Sequence, residues 1–151
     1  MRRHWMYLKY VLRHKWYVIL EGRKLHVPLW QLIIHDWSKF LPGEWLPYAR
    51  TFYAPDGSSQ YEPEAGGMAA AWNAHQKRHP HHWQYWMLTW DHGGTERLLM
   101  PERYAREMLA DWRGAGRALG KPDTRGWYLA NKDKMQLHPA TRAWIETQLD
   151  I

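Results

Sequence analysis

Several histidine and aspartate side chains fall at positions on predicted helices that should face the protein core. His14 lies between Val11 and Val18 on an apolar stripe, and Asp111 follows Met108 on a second stripe with helical spacing. A buried polar group without a partner costs about 1–3 kcal/mol, and an unpaired buried charge costs more. We therefore expect each of these side chains to be hydrogen-bonded or to bind a metal ion.

The adjacent residues His35 and Asp36 follow an apolar run and form the sharpest local feature. Neighbouring residues on a helix diverge by about 100°, so both side chains can flank one metal ion while the carboxylate bridges to a second. Lys39 lies one turn after His35 on the same face, where its ammonium group could bind a phosphate oxygen. A hydrogen-bonded core histidine or an ion-paired aspartate explains any one of these residues alone. Several helices that each present such a group to a bundle core indicate a metal site.

A histidine-rich segment contains His75, His79, His81 and His82. On an unbroken helix the first, second and fourth of these would share one face, but Pro80 breaks or bends the helix between them. The segment is therefore either a second source of metal ligands or a solvated basic turn at the surface.

The composition restricts the kind of metal site and the kind of partner. The 151 residues include no cysteine, so any metal must be held by nitrogen and oxygen atoms. A net charge of +6 indicates an anionic partner, such as a phosphorylated small molecule or a nucleic acid. No apolar stretch approaches the ~18 residues of a membrane span, and Lys9 and Arg13 interrupt what would be a signal peptide. We expect a cytoplasmic protein.

Helical periodicity dominates the chain and predicts an all-α fold, with residues 1–151 forming a compact single-domain helical bundle. No stretch alternates with period two for long enough to form a sheet. The predicted helices are Trp5 to Leu20 (ended by Gly22), Pro28 to about Lys39, Pro42 to Phe52, Glu64 to Arg78, His81 to Leu88, Pro101 to Leu119, Thr124 to Asn131 and Pro139 to Leu149.

The order of these residues resembles the HD-domain superfamily of metal-dependent phosphohydrolases, whose signature is a first His, an adjacent His-Asp pair, optional further histidines and a late Asp. The chain also resembles a small uncharacterised family of bacteria and their viruses over roughly residues 4 to 149. The motifs that carry this second resemblance are His14-Lys15, the stretch His35-Asp36-Trp37-Ser38-Lys39-Phe40 with Glu44, His75-Gln76-Lys77-Arg78 with His81-His82-Trp83, and Glu107-Met108 with Asp111-Trp112.

The resemblance to the HD-domain superfamily implies a first metal site with four ligands, which are His14, His35, Asp36 and Asp111. It implies a second site that shares Asp36 and adds His75 and one of His81 or His82. His79 has no counterpart in the family pattern. The cofactors implied are one or two divalent ions, such as Mn, Mg, Co, Fe or Zn.

The function expected from this site is hydrolysis of a nucleotide or related phosphoester by metal-activated water. Asp36 and Lys39 are the expected catalytic residues. Lys39, Lys77 and Arg78 are the expected phosphate contacts, because positioned cations stabilise the non-bridging oxygens in phosphoryl transfer. The expected partner is a small phosphorylated substrate.

Two alternatives remain open at this point. The same set of four His and two Asp ligands also resembles the mixed-valent diiron oxygenases of the HD superfamily, which use O₂ to cleave C–C or C–P bonds. Alternatively, the chain is a non-enzymatic nucleic-acid-binding protein that uses tryptophans as stacking surfaces. The basic residues that would serve this role lie on the first helix and are Arg2, Arg3, Lys9, Arg13 and Lys15.

Overall fold

Helices form most of the chain in the computed structural model, which describes the backbone of residues 1–151 and all side chains except those of residues 65 and 66. The α-helices are α1 (Arg2–Lys24), α2 (Leu29–Ile34), α3 (Pro42–Phe52), α4 (Pro63–Gly66), α5 (Met68–Arg78), α6 (Glu102–Ala118), α7 (Thr124–Asn131) and α8 (Pro139–Gln148). Short 3₁₀ helices cover Trp37–Phe40, Trp83–Trp86 and Lys132–Lys134. The prediction of an all-α helical bundle is confirmed.

Helix α1 is longer than predicted because Gly22 lies inside it. A Cβ atom at Gly22 would lie 2.3 Å from a Cδ atom of Leu32, a fully buried residue of α2. The glycine therefore permits α2 to pack against α1 and does not end the helix. The chain leaves the helical conformation only after Lys24.

The chain after Pro80 is less helical than predicted. Helix α5 ends at Arg78, as the proline required, but the segment up to Leu88 contains only a 3₁₀ turn and the start of a strand. Strand β1 (Met87–Thr89) pairs antiparallel with β2 (Thr95–Arg97), with Thr89 opposite Thr95. The expectation that no sheet forms was wrong, since strands of three residues are too short to show a period of two.

Two hydrophobic clusters flank the middle of α1. Tyr7 and Val11 pack with α3 and α5, whereas Val18 packs with α2 and with the helices that follow residue 101. Helix α6 approaches α1 closely at Gly114, where a Cβ atom would lie 2.8 Å from the backbone nitrogen of Val18. His14 lies between the two clusters on the same buried face of α1. The packing therefore holds a polar site between two apolar layers.

Candidate metal centre

His35 and Asp36 lie at a break between α2 and the following 3₁₀ helix. Helix α2 ends at Ile34, His35 has left the helical region (φ −47°, ψ 129°), and Asp36 has a left-handed backbone with φ 55°. Such a conformation costs about 1–3 kcal/mol in a non-glycine residue, although aspartate tolerates it better than most. The prediction of a continuous helix from Pro28 to Lys39 was wrong. The break turns both side chains inward, where each residue is 1% exposed.

The four residues predicted for a first metal site come together in the structure. Each of His14, His35, Asp36 and Asp111 offers a ligand atom within 4.8 Å of the others. Asp36 Oδ2 lies 3.4 Å from Nε2 of both His14 and His35. Asp111 Oδ1 lies 3.1 Å from His14 Nε2 and 3.4 Å from His35 Nε2. Residues separated by 97 positions in the sequence thus form one group of nitrogen and oxygen atoms.

A second group forms around the other oxygen of Asp36 and contains His75, His81 and His82. Asp36 Oδ1 lies 3.2 Å from His75 Nε2 and 3.3 Å from His81 Nε2. The turn at Pro80 brings both ends of the histidine-rich segment to one place. Where the sequence left the choice between His81 and His82 open, the structure brings both into the group.

His79 is buried but lies outside both ligand groups. Its Nε2 atom is 2.6 Å from Ser38 Oγ, in the 3₁₀ helix that follows Asp36. Burial lowers the pKa of His79 to about 3, so its ring is neutral near neutral pH. Its contact with Ser38 ties the histidine-rich segment to the residues directly after the break.

Two glutamates bind the ring nitrogens of these histidines that face away from Asp36. Glu107 Oε1 lies 2.9 Å from His35 Nδ1 and 3.3 Å from His81 Nδ1. Glu44 Oε2 lies 2.8 Å from His75 Nδ1. Both glutamates lie in the motifs that carry the family resemblance, but no role was predicted for them. The spacing of Glu107 four residues before Asp111, on one face of α6, was the signal that could have identified it.

These glutamates set the tautomers of the histidines and so determine what fits between them and Asp36. A carboxylate only accepts hydrogen bonds, so a neutral ring at His35 or His75 would carry its proton on Nδ1 and point an Nε2 lone pair at Asp36. Among the residues that the structure describes, the five Nε2 atoms of the two ligand groups and Asp36 Oδ1 have no hydrogen-bond partner. A lone pair facing a carboxylate oxygen needs a proton or a metal ion between them. The donor set fits a divalent ion that prefers nitrogen and oxygen ligands, and histidine rings with carboxylates behind them are typical of metal sites.

The carboxylates of the site are held in their ionised form. Burial alone would raise the pKa of Asp36, but the neighbouring charges of His35 and Lys39 hold it well below its usual range. Burial would likewise raise the pKa of Glu107, and its hydrogen bonds with His35 and His81 lower it to about 2. Metal ligation requires deprotonated carboxylates, so the site supplies them near neutral pH.

Lys39 lies against the carboxylate of Asp36. Its Nζ atom is 2.6 Å from Asp36 Oδ2, and its side chain is 13% exposed. Burial alone would lower the pKa of Lys39, but the charge of Asp36 raises it. The ammonium group therefore stays charged beside the first ligand group.

The other two predicted phosphate contacts have different partners. Lys77 is exposed and donates a hydrogen bond to the backbone carbonyl of Gln84 at 2.9 Å. Arg78 donates to Glu44, the residue that also binds His75. In this structure the two cations thus contact the surroundings of the site, and neither contacts the ligand groups. Lys77, two positions after His75, lies on a different face of α5. Arg78, three positions after His75, lies on the same face but contacts Glu44 instead of the ligand groups.

Part of the basic surface expected for a nucleic-acid-binding protein is used within the chain. Arg3 donates to the backbone carbonyl of Tyr53 at 2.6 Å. Lys15 donates to the backbone carbonyl of Ile33 at 3.1 Å and also to that of His35. These contacts hold α1 against neighbouring segments and engage two of the five cations that would serve a nucleic acid.

One family of known sequences matches the chain over all residues of the candidate metal centre. The sequence model of a family of unknown function (DUF5662) matches residues 3–151. The chain belongs to this family. The part shared with DUF5662 thus includes every member of both ligand groups, from His14 to Asp111. No curated protein and no solved structure matches the chain. In the described part of this DUF5662 member, no helix has the length and apolar character needed to cross a membrane.

Proposed function

We propose that the chain is a divalent-metal-dependent phosphohydrolase of the HD-domain type that acts on a nucleotide or a related phosphoester. The observation that carries the proposal is the two-sided position of Asp36. Its Oδ2 atom faces Nε2 of His14 and His35, and its Oδ1 atom faces Nε2 of His75 and His81. A carboxylate with imidazole nitrogens beside both oxygens suits a bridged pair of divalent ions.

The residues around Asp36 have separate roles in this proposal. When bound, divalent ions would supply Lewis acidity and lower the pKa of a water ligand to about 7–9. Glu107 and Glu44 would keep the histidines in the tautomer that offers Nε2. Lys39 would bind a non-bridging phosphate oxygen, because its buried ammonium group already lies beside Asp36.

The formal charges at the site favour an anionic substrate. Asp36 and Asp111 together carry −2, whereas two divalent ions carry +4, so about +2 would remain to attract a phosphate group. The ion pair between Glu44 and Arg78 contributes no net charge, and the charges of Glu107 and Lys39 also offset each other. The partly buried position of the site reduces screening of this charge by salt.

Phosphate release under anaerobic conditions tests the proposal. The purified protein is incubated with Mn²⁺, Mg²⁺ or Co²⁺ and a panel of nucleotides and phosphoesters that includes cyclic ones. We expect phosphate release or ring opening that is lost in Asp36→Ala and retained in Asp91→Ala, a change at an exposed turn. Activity only with iron and air, with O₂ consumed in step with product, would instead assign diiron oxygenase chemistry. No turnover under either condition would also count against the proposal.

Metal analysis tests the cofactor separately from the reaction. Protein purified without chelator should contain a divalent metal, and His35→Ala should reduce that content. His35→Ala should also lower the melting temperature of the metal-loaded protein, because a ligand that binds only the folded state stabilises it. An unchanged metal content in both His35→Ala and Asp36→Ala would show that the pair does not bind metal.

A further inference from the structure

A cavity of about 320 Å³ adjoins the candidate metal centre. Two of its lining residues, His82 and Asp111, belong to the two ligand groups. The cavity therefore lies where the organic part of a substrate would extend from a phosphate at the centre. Four of the nine remaining lining residues are tryptophans, namely Trp72, Trp83, Trp112 and Trp127.

These tryptophans come from three α-helices and the 3₁₀ helix Trp83–Trp86, and the fold brings them to one cavity. The rings of Trp112 and Trp127 have centroids 5.3 Å apart, and the ring of Trp72 lies 5.1 Å from that of His82. Trp127 is 45% exposed, so an indole face is left in contact with solvent. Ligand pockets of 300–1,000 Å³ are typically lined by apolar and aromatic side chains with a few polar groups. Flat indole faces favour a flat ligand.

Two polar atoms of the cavity lining have no hydrogen-bond partner among the described residues, namely His82 Nε2 of the candidate metal centre and Gln84 Oε1. Gln84 lines the cavity, and its Oε1 atom is buried without a hydrogen-bond partner among the described residues. The other polar side chains there already bind each other, since Lys134 donates to Asn131 at 3.0 Å and Asn131 donates to the carbonyl of Trp127. A buried acceptor left unpaired costs about 1–3 kcal/mol, so a ligand that donates a hydrogen bond at this position would be favoured.

We propose that this cavity binds a planar heteroaromatic ring of the substrate, such as a purine or pyrimidine. The ring stacks against the tryptophans, an N–H at its edge donates to Gln84 Oε1, and the attached phosphate reaches the centre beside Asp111 and His82. This inference rests on the proposed function, because that proposal is what places the phosphate group of the substrate at the metal centre. An aliphatic phosphoester would leave both the indole faces and Gln84 without partners.

Binding of nucleosides, nucleoside monophosphates, phenyl phosphate and glycerol phosphate, measured by calorimetry, tests the inference. We expect nucleoside monophosphates to bind most tightly and Trp127→Ala to weaken their binding by about 5- to 150-fold, as for loss of one base-stacking aromatic side chain. Trp127→Phe should recover much of the affinity. The matched control is Trp16→Ala, which removes a tryptophan that is 58% exposed on α1, and it should leave binding unchanged.

A second variant tests the polar contact. Gln84→Met should weaken binding of nucleoside monophosphates that carry an edge N–H and leave phenyl phosphate unaffected. Equal binding of glycerol phosphate and nucleoside monophosphates, or equal effects of Trp127→Ala and Trp16→Ala, would overturn the inference. Phosphate release from aliphatic phosphoesters would then still support the proposed function. Conversely, nucleosides that bind and respond to Trp127→Ala without any phosphate release would support the cavity assignment and overturn the proposed hydrolase.

Discussion

Glu107→Gln should weaken metal binding in both ligand groups, whereas Glu44→Gln should weaken it in only one. Glu107 Oε1 contacts His35, a member of the first group, at 2.9 Å and His81, a member of the second group, at 3.3 Å. Glu44 contacts only His75 among the ligand histidines. A glutamine at position 107 can still accept a hydrogen bond, but it lacks the charge that makes both rings better ligands.

The size of the effect follows from the number of histidines that each glutamate supports. Loss of an outer partner of a metal-binding histidine typically lowers metal affinity about 10–100-fold, equivalent to about 1.4–2.8 kcal/mol per site. Glu107→Gln acts on one ligand in each group, so the product of the two binding constants should fall about 10²–10⁴-fold. Glu44→Gln should lower that product only about 10–100-fold, with the loss confined to the group that contains His75.

Calorimetric titration of metal-free protein with Co²⁺, in the presence of a competing chelator, measures both constants. Glu102→Gln is the control, because it removes an exposed carboxylate from the same helix as Glu107. The melting temperature of each metal-free variant shows whether the change has disrupted the fold itself. The reasoning would be refuted if Glu107→Gln affected one site or neither, or if Glu44→Gln weakened both sites equally.

Three further predictions concern stoichiometry, packing and pH. His75→Ala should reduce the bound metal from about two ions to about one, as measured by elemental analysis, and an unchanged count would contradict its role as a ligand. Gly114→Ala should lower the free energy of unfolding by about 1–3 kcal/mol, because its Cβ would clash with the backbone of Val18. Gly43→Ala, which has open space around it, should be neutral or stabilising in the same denaturant titration. Burial would raise the pKa of Glu21, but hydrogen bonds from its lysine and arginine partners lower it below 4.5. Glu21→Gln should therefore cost about 1 kcal/mol at pH 7, and this difference from the parent should shrink as the pH falls below 4.5 and disappear once the carboxyl group is protonated in the folded protein.

The sequence was sufficient to predict most of the helices around the site, because helix periodicity and the residues that end helices act locally. The apolar stripe of α1 correctly placed His14 on a buried face, and Pro80 correctly marked the end of α5. Helix α7 begins and ends at the predicted residues. In each case the periodicity of side chains or the geometry of proline acts within a few residues, so no knowledge of the tertiary structure was needed.

The errors arose where distant segments override local preference. Gly22 would end a helix by its intrinsic tendency, but contact with Leu32 requires a small residue inside α1. The apolar run before His35 predicts that α2 continues, yet the chain breaks there and Asp36 adopts a positive φ. Neither outcome is encoded in the neighbouring residues alone. Both depend on how α2 packs against the rest of the bundle.

Dependence on tertiary packing also explains why the sequence indicated the candidate ligands but not the two glutamates that hydrogen-bond to them. A histidine on an apolar stripe is conspicuous in a sequence, whereas Glu107 and Glu44 resemble ordinary surface glutamates. Their partners, His35 and His75, lie 72 and 31 residues away in the sequence, so only the folded chain brings each pair together. A continuous helix would point His35 and Asp36 about 100° apart, whereas the left-handed turn lets one carboxylate face two groups of histidines. The residue with the strained backbone is therefore also the residue common to the two ligand groups. The cost of its backbone conformation is consistent with a site for which the arrangement of ligands matters more than local stability.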